Sequence, residues 1–264
     1  MSKTIVFVHG AWLTSRSWET FVPYFEQKGY KTLAPEWPYR DKSAEELRAN
    51  TPPELAEVGV KELTDHFEAI VRTLPEPPIL IGHSFGGLIV QQLLDRRLGA
   101  AGVALDAVAP QGVLAVDWTV LKANSSTLFR WMNWDKVLTM TFQEFQYAFV
   151  NTFPEDQQQT YYDRYVVPET GRIFFQAAFA MLDPHHALHV NFENADRAPL
   201  LLIAGENDHL VPAHVVKANY EHHRRSPART DFHEFAGRAH LLTAQDGWEE
   251  IADYVANWLD QLPG

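Results

Sequence analysis

Residues 78–88, Pro-Ile-Leu-Ile-Gly-His-Ser-Phe-Gly-Gly-Leu, set Gly82-His83-Ser84-Phe85-Gly86 between a short apolar run and an apolar, helix-like segment at 88–94. A Gly-x-Ser-x-Gly turn that joins a buried strand to a helix has the pattern of a nucleophile elbow. Five residues of this kind recur by chance, and the two flanks give them meaning. Side chains at 82 and 86 would collide with the neighbouring strand and helix when Ser84 takes the strained backbone such a turn requires. The Ser84 hydroxyl then stands clear of the sheet at a helix N-terminus, where developing negative charge is favoured. Ser84 is the candidate nucleophile.

The rest of the chain repeats strand and helix in alternation. Residues 4–8 form an uninterrupted β-branched and aromatic run, as in a strand covered on both faces. Further strands are expected at 30–34, 78–82, 101–107, 199–204 and 229–235. Helices are expected at 17–28, 43–50, 53–74, 88–98, 213–224 and 248–259, the first closed by Gly29. This alternation predicts an α/β fold with a mostly parallel, six-stranded, doubly wound sheet. Between about 113 and 195 the pattern changes to aromatic-rich helical segments without a convincing strand. The expected organisation is a core of residues 1–112 and 196–264 with a helical cap of residues 113–195 inserted after the fourth strand. In such sheets ligands bind at the carboxyl ends of strands, so the loops there hold the candidate chemistry.

A serine hydroxyl needs a general base, and the base needs an orienting acid. His240, on the loop after the last strand, is the candidate base. His9, His83 and His209 also sit at strand ends, but His83 adjoins the nucleophile and should point away, and His9 suits a wall of the first loop. Asp208, after the fifth strand, is the candidate acid, with Asp106 after the fourth as its rival and Glu206 and Asp231 as weaker ones. An oxyanion requires two donors. The Phe85 backbone N–H is one, and the Ala11 N–H is the other, with Trp12 as the alternative on a loop that Gly10 opens.

These residues resemble the α/β-hydrolase superfamily over essentially the whole chain: His9-Gly10 in the first loop, the elbow at 82–86, and the chain order Ser84, Asp208, His240. The opening His9-Gly10-Ala11-Trp12, with Ser17-Trp18 behind it, resembles compact branches that hold plant-type methyl esterases, hydroxynitrile lyases, bacterial esterases and cofactor-free haloperoxidases. The resemblance implies a core lacking the two leading antiparallel strands of the full eight-stranded sheet. The lyases carry lysine after the catalytic histidine, where this chain has Leu241, and they replace the first-loop glycine that Gly10 retains. Both departures count against cyanohydrin chemistry. Ser84 excludes the members that use an aspartate nucleophile.

The expected activity is serine-dependent hydrolysis of small to medium hydrophobic esters or lactones through an acyl-enzyme. The alternative is a non-hydrolytic member of the fold: a lyase, a cofactor-free oxidative or perhydrolytic enzyme, or a binding protein with a vestigial triad. The insertion carries Trp118, Phe129, Trp131, Trp134, Phe142, Phe145, Tyr147, Phe149, Phe174, Phe175 and Phe179, mostly as packing residues with a minority lining the pocket. No buried arginine or lysine is expected beside the triad, so charged substrates should do poorly. Asp183, His185, His186 and His189 have metal-like spacing, but Pro184 points instead to a helix with solvated histidines. His222, His223, Arg224 and Arg225 suit cations at a helix C-terminus. No metal or organic cofactor is implied.

A net charge of -12 argues against nucleic-acid and anionic-membrane partners. The absence of cysteine removes disulfides, thiolate metal sites and a cysteine nucleophile. A strand beginning at residue 4 leaves no room for a signal peptide, and no apolar run reaches spanning length. A cytoplasmic monomer or homodimer is the expectation.

Overall fold

The computed structural model describes residues 3–113 and 134–263. Six strands form one sheet: β1 (Thr4–Val8), β2 (Lys31–Leu33), β3 (Ile79–His83), β4 (Ala101–Leu105), β7 (Leu200–Gly205) and β8 (Thr230–Phe235). Their order is β2-β1-β3-β4-β7-β8, and every pairing is parallel.

Period-two alternation sorts the side chains of each strand onto the two faces. Ile5, Phe7, Ile79, Ile81, Val103, Leu105, Leu201 and Ile203 pack beneath α1 (Phe21–Gln27) and the C-terminal helix (Trp248–Asp260). Val6, Val8, Leu80, Ala104, Leu200 and Leu202 face the opposite cluster, which contains α3 (Val60–Arg72) and α4 (Phe85–Asp95). Both faces are therefore dry, which is why β1, β3, β4 and β7 read as apolar runs rather than alternating ones.

The chain runs from β1 outward to β2, then returns across β1 to β3. Successive crossovers thus part between β1 and β3, the topological switch point where a crevice opens outside the strand ends. The first loop and the elbow flank that crevice.

Between β4 and β7 lie α5 (Phe142–Ala148), α6 (Glu155–Tyr165) and α7 (Gly171–Ala178). Contrary to expectation, this insertion also holds a small antiparallel ladder, β5 (Val137–Leu138) with β6 (Glu169–Thr170). Two-residue strands are too short to show a period. Trp118, Phe129 and Trp131 fall outside the described residues.

Two expected helices are each split. A 3-10 turn (Ser15–Trp18) precedes α1, and Pro23 sits in the first turn of α1, where a missing N–H does no harm. Another 3-10 turn (Pro53–Glu57) precedes α3, whose start is set by Gly59, with its N–H held by Glu62 Oε2 at 3.0 Å. The remaining helices are α2 (Ala44–Ala49), opened by a Ser43–Glu46 capping box, α8 (Ala213–His223) and the C-terminal α9 (Trp248–Asp260). Among the described residues no helix is long and apolar enough to cross a membrane.

Candidate active site

Ser84 follows β3 directly and precedes α4, with φ 57° and ψ −121°. A left-handed φ of this kind is strained for a residue with a Cβ, and the surroundings hold it there. The Ser84 N–H donates to Leu105 C=O at 2.9 Å, and the Ser84 C=O accepts from Gly87 N–H and Val108 N–H. The elbow glycines are needed for space. A Cβ on Gly86 would stand 2.0 Å from Val8 O, and one on Gly82 would stand 2.2 Å from Gly86 O. Across the crevice, a Cβ on Gly10 would lie 2.8 Å from Ser84 Cβ, so the first loop and the nucleophile approach as closely as backbone allows.

His240 and Asp208 meet, although 32 residues separate them. Both side chains are fully buried, and His240 Nδ1 lies 2.6 Å from Asp208 Oδ2. The other carboxylate oxygen, Oδ1, accepts the N–H groups of Leu210 at 2.7 Å and Val211 at 3.0 Å. With Asp208 accepting, the His240 proton resides on Nδ1, and Nε2 carries the lone pair. That Nε2 is buried without a hydrogen-bond partner among the described residues. A buried, basic, unsatisfied nitrogen is an uncommon feature that calls for a visiting donor.

Asp106, the rival acid, also lies at this edge, with φ 43° and no exposure. Its Oδ1 accepts the Gly205 N–H at 2.7 Å, but His240 is bonded to Asp208. Burial, and then the Asp208 carboxylate beside it, push the Asp106 carboxyl well above the usual range. Asp106 thus resists carrying a second negative charge next to Asp208.

His83 differs from expectation. Rather than merely pointing away, it donates through Nε2 to the His240 C=O at 2.7 Å, with the two rings 4.6 Å apart. Burial, then the neighbouring His240, drive its pKa well below the ordinary value, so it is a neutral brace for the His240 backbone. Nothing in Gly-x-Ser-x-Gly signals this role, because the position between glycine and serine is open. His9 is the expected wall: its Nδ1 donates to Gly10 O at 2.9 Å, its Nε2 accepts from Trp37 N–H at 3.2 Å, and its ring stacks on Trp37.

The two expected oxyanion donors have no acceptor among the described residues: Ala11 N–H in the first loop, and Phe85 N–H at the start of α4. The alternative donor, Trp12 N–H, is engaged with Glu169 Oε2 at 3.0 Å. Four aromatic rings from separate elements adjoin the site. Trp12 stacks on Phe174 at 5.2 Å, Phe174 meets Phe85 edge-on at 5.6 Å, and Phe149 stands edge-on to His240 at 4.9 Å.

Two histidine clusters resolve differently from the sequence expectation. Residues 183–189 form turns, not a helix; Asp183 spends its carboxylate on the His185 and Ala187 N–H groups. His185, His186 and His189 are exposed, as expected. His223, expected to be a cation, is fully buried at the end of α8, its Nε2 donating to Gln91 Oε1 at 2.9 Å. Burial, followed by Arg197 and His222, lowers its pKa to about 3, and it is neutral. A local pattern shows a basic helix end but not which of two adjacent histidines turns inward.

No curated protein matches the chain by sequence. Solved structures share its fold at low identity. Monoacylglycerol lipase from Paleococcus ferrophilus is 21% identical with a TM-score of 0.67, over 97% of this chain and 93% of the lipase. A pyrethroid hydrolase from Sphingobium faniae is 18% identical with a TM-score of 0.66, over 99% and 98%. Tomato methylketone synthase I in complex with 2-tridecanone is 15% identical with a TM-score of 0.68, over the full length of both chains. A family model described as "Alpha/beta hydrolase family" matches residues 5–254. Spanning β1 to the last helix, with elbow, switch point and strand order in place, that match establishes that the chain belongs to the alpha/beta hydrolase family.

Proposed function

We propose that this protein is a carboxylic ester hydrolase working through an acyl-enzyme on Ser84. The observation that carries the proposal is the buried His240–Asp208 pair, which fixes the proton on Nδ1 and leaves Nε2 as an unsatisfied base. Catalytic hydrogen bonds to such a base commonly tighten only once substrate is bound.

In the proposed cycle Ser84 Oγ attacks the ester carbonyl carbon and its proton passes to His240 Nε2. The imidazolium so formed is stabilised by the Asp208 carboxylate, which keeps its own charge. The negative charge on the carbonyl oxygen is received by the N–H groups of Ala11 and Phe85, at the positive end of α4. Collapse of the tetrahedral intermediate breaks the bond to the alcohol, which leaves with the proton from Nε2. A water molecule then repeats the sequence on the acyl-enzyme, giving Nε2 a proton that returns to Ser84 as the acid departs.

The substrate class follows from the walls. Trp12, Phe85, Phe149 and Phe174 offer apolar surface around the nucleophile, which favours small to medium hydrophobic esters or lactones. The pyrethroid and 2-tridecanone named for two structural neighbours are themselves apolar molecules, in keeping with that preference.

The test is a fluorophosphonate probe together with p-nitrophenyl butyrate. Wild-type protein is expected to hydrolyse the ester and take up one probe per chain, with both activities lost in Ser84→Ala while the fold persists. Hydrolysis that survives Ser84→Ala, or a wild-type protein that takes up no probe, would overturn the proposal.

A further inference from the structure

The peptide of Trp12 is held at both ends by the insertion. Its N–H donates to Glu169 Oε2 at 3.0 Å, and its C=O accepts from Val167 N–H at 2.9 Å. The next carbonyl, that of Leu13, accepts from Arg40 Nη1 at 2.6 Å. Arg40 in turn pairs with Glu169, Nη2 to Oε1, at 2.5 Å, with both side chains at most 1% exposed. A buried arginine therefore does approach the first loop, contrary to the sequence expectation, but it is committed to a carboxylate.

Trp12 needs this hold. It has φ 66°, a left-handed conformation that an aromatic residue keeps only where its surroundings impose it. Burying an ion pair is unfavourable unless the charges also satisfy other groups. Here the pair's other hydrogen bonds go to the backbone: Glu169 Oε1 also accepts the Thr170 N–H at 2.8 Å, while Arg40 Nε is buried without a hydrogen-bond partner among the described residues. Most of what the pair touches besides itself is thus main chain, on the first loop and on β6.

We infer that Glu169, charge-balanced by Arg40, is a positioning residue that sets the oxyanion loop. By taking the Trp12 N–H and holding Trp12 left-handed, it leaves the preceding N–H, that of Ala11, as the one directed at the substrate oxygen. Glu169 touches no reacting atom and acts through the loop. The insertion, which supplies both Val167 and Glu169, is consequently part of the oxyanion site and not only a cover over it. This inference rests on the ester-hydrolase reading of Ser84, His240 and Asp208.

Two variants separate positioning from mere stability. In Glu169→Gln the single amide oxygen stays with Arg40 and Thr170, which both donate to Oε1, so the NH2 group faces the Trp12 N–H and that acceptor is lost at nearly unchanged volume. The double variant E169L/R40M removes that acceptor but replaces the ion pair with apolar side chains of similar volume, an exchange that buried pairs tolerate. Both are compared with wild type on p-nitrophenyl butyrate and for inhibition by a trifluoromethyl ketone, whose adduct with serine carries the oxyanion.

For E169L/R40M, kcat should fall by roughly 10- to 100-fold, somewhat less than the loss of a whole oxyanion donor, with KM nearly unchanged. Affinity for the ketone should fall in parallel with kcat/KM. E169Q should fall by a similar factor, because it too leaves the Trp12 N–H without its acceptor.

A folded double variant with wild-type kcat, or with KM raised and kcat unchanged, would overturn the inference. So would a folded E169Q protein with wild-type kcat, or one that loses kcat but retains full ketone affinity. If wild type itself neither hydrolyses the ester nor takes up a fluorophosphonate, the ester-hydrolase reading fails first and this inference with it.

Discussion

Replacing Asp208 by asparagine should nearly abolish turnover, and the reason lies in how the side chain is pinned. Asp208 Oδ1 accepts two backbone N–H groups, from Leu210 and Val211, while Oδ2 accepts the single proton of His240 Nδ1. An asparagine amide has one acceptor oxygen and one NH2 group. If the NH2 took the Oδ1 place, two buried donors would lose their acceptor, at about 1–3 kcal/mol each. The oxygen therefore stays with Leu210 and Val211, and the NH2 faces His240. Nδ1 must then accept, the imidazole proton moves to Nε2, and the base is gone. Loss of the working tautomer in a serine–histidine–aspartate site lowers kcat about 10⁴-fold, or roughly 5.5 kcal/mol of transition-state stabilisation.

Asp106→Asn sets the contrast. It keeps an oxygen for the Gly205 N–H and leaves the His240 bond untouched. Its kcat should fall by less than about tenfold, in keeping with a perturbation of about 1 kcal/mol. Steady-state kinetics on p-nitrophenyl butyrate, with near-ultraviolet circular dichroism to confirm the fold, measures both variants. A reversed ranking, or an Asp208→Asn protein within tenfold of wild type, would refute the reasoning.

Acid should destabilise the protein partly through His223. Its folded pKa of about 3 lies below the ordinary 6.5, so the unfolded chain binds the extra proton between those values, and stability is lost as pH falls through that window. With a slope that approaches about 1.4 kcal/mol per pH unit below the unfolded pKa, this one group removes about 2 kcal/mol between pH 6.5 and 4.5. His223→Gln, which can still offer an N–H to Gln91, should flatten the pH dependence of the urea midpoint over that range; an unchanged slope would count against the assignment. Substrate size supplies a further check. Across p-nitrophenyl esters of increasing acyl length, kcat/KM should rise with each methylene that enters the aromatic walls, at up to about 0.8 kcal/mol each, and then fall once the wall is met. A flat profile, or efficient cleavage of a peptide amide, would contradict an enclosed apolar site.

What the amino-acid sequence determined by itself is local. Apolar runs bounded by glycine and proline are enough to place the four central strands, because a strand buried on both faces must be apolar throughout; the polar edge strands β2 and β8 are placed by their position between helices. The elbow is legible in part because Gly82 is demanded by a contact a few residues away in the chain, with Gly86, whereas Gly86 itself is demanded by the backbone of Val8 in β1. Asp208 and His240 are legible as candidates because chemistry in such a sheet is confined to loops after strand ends.

Only the tertiary structure decided between neighbours that look alike in sequence. It bonded His240 to Asp208 and left Asp106 to the Gly205 N–H, although both aspartates follow a strand. It turned His83 to the His240 carbonyl and His223 into the core, where Gln91 receives it. It joined Arg40 to Glu169, 129 positions apart, and set both on the first loop, a pairing for which neither residue's neighbours in the chain give any sign. Periodicity reports which face of a strand or helix is dry, since that constraint acts on every residue of the element. The partner of a single polar side chain depends on where the fold brings a distant segment, and no local pattern contains that information.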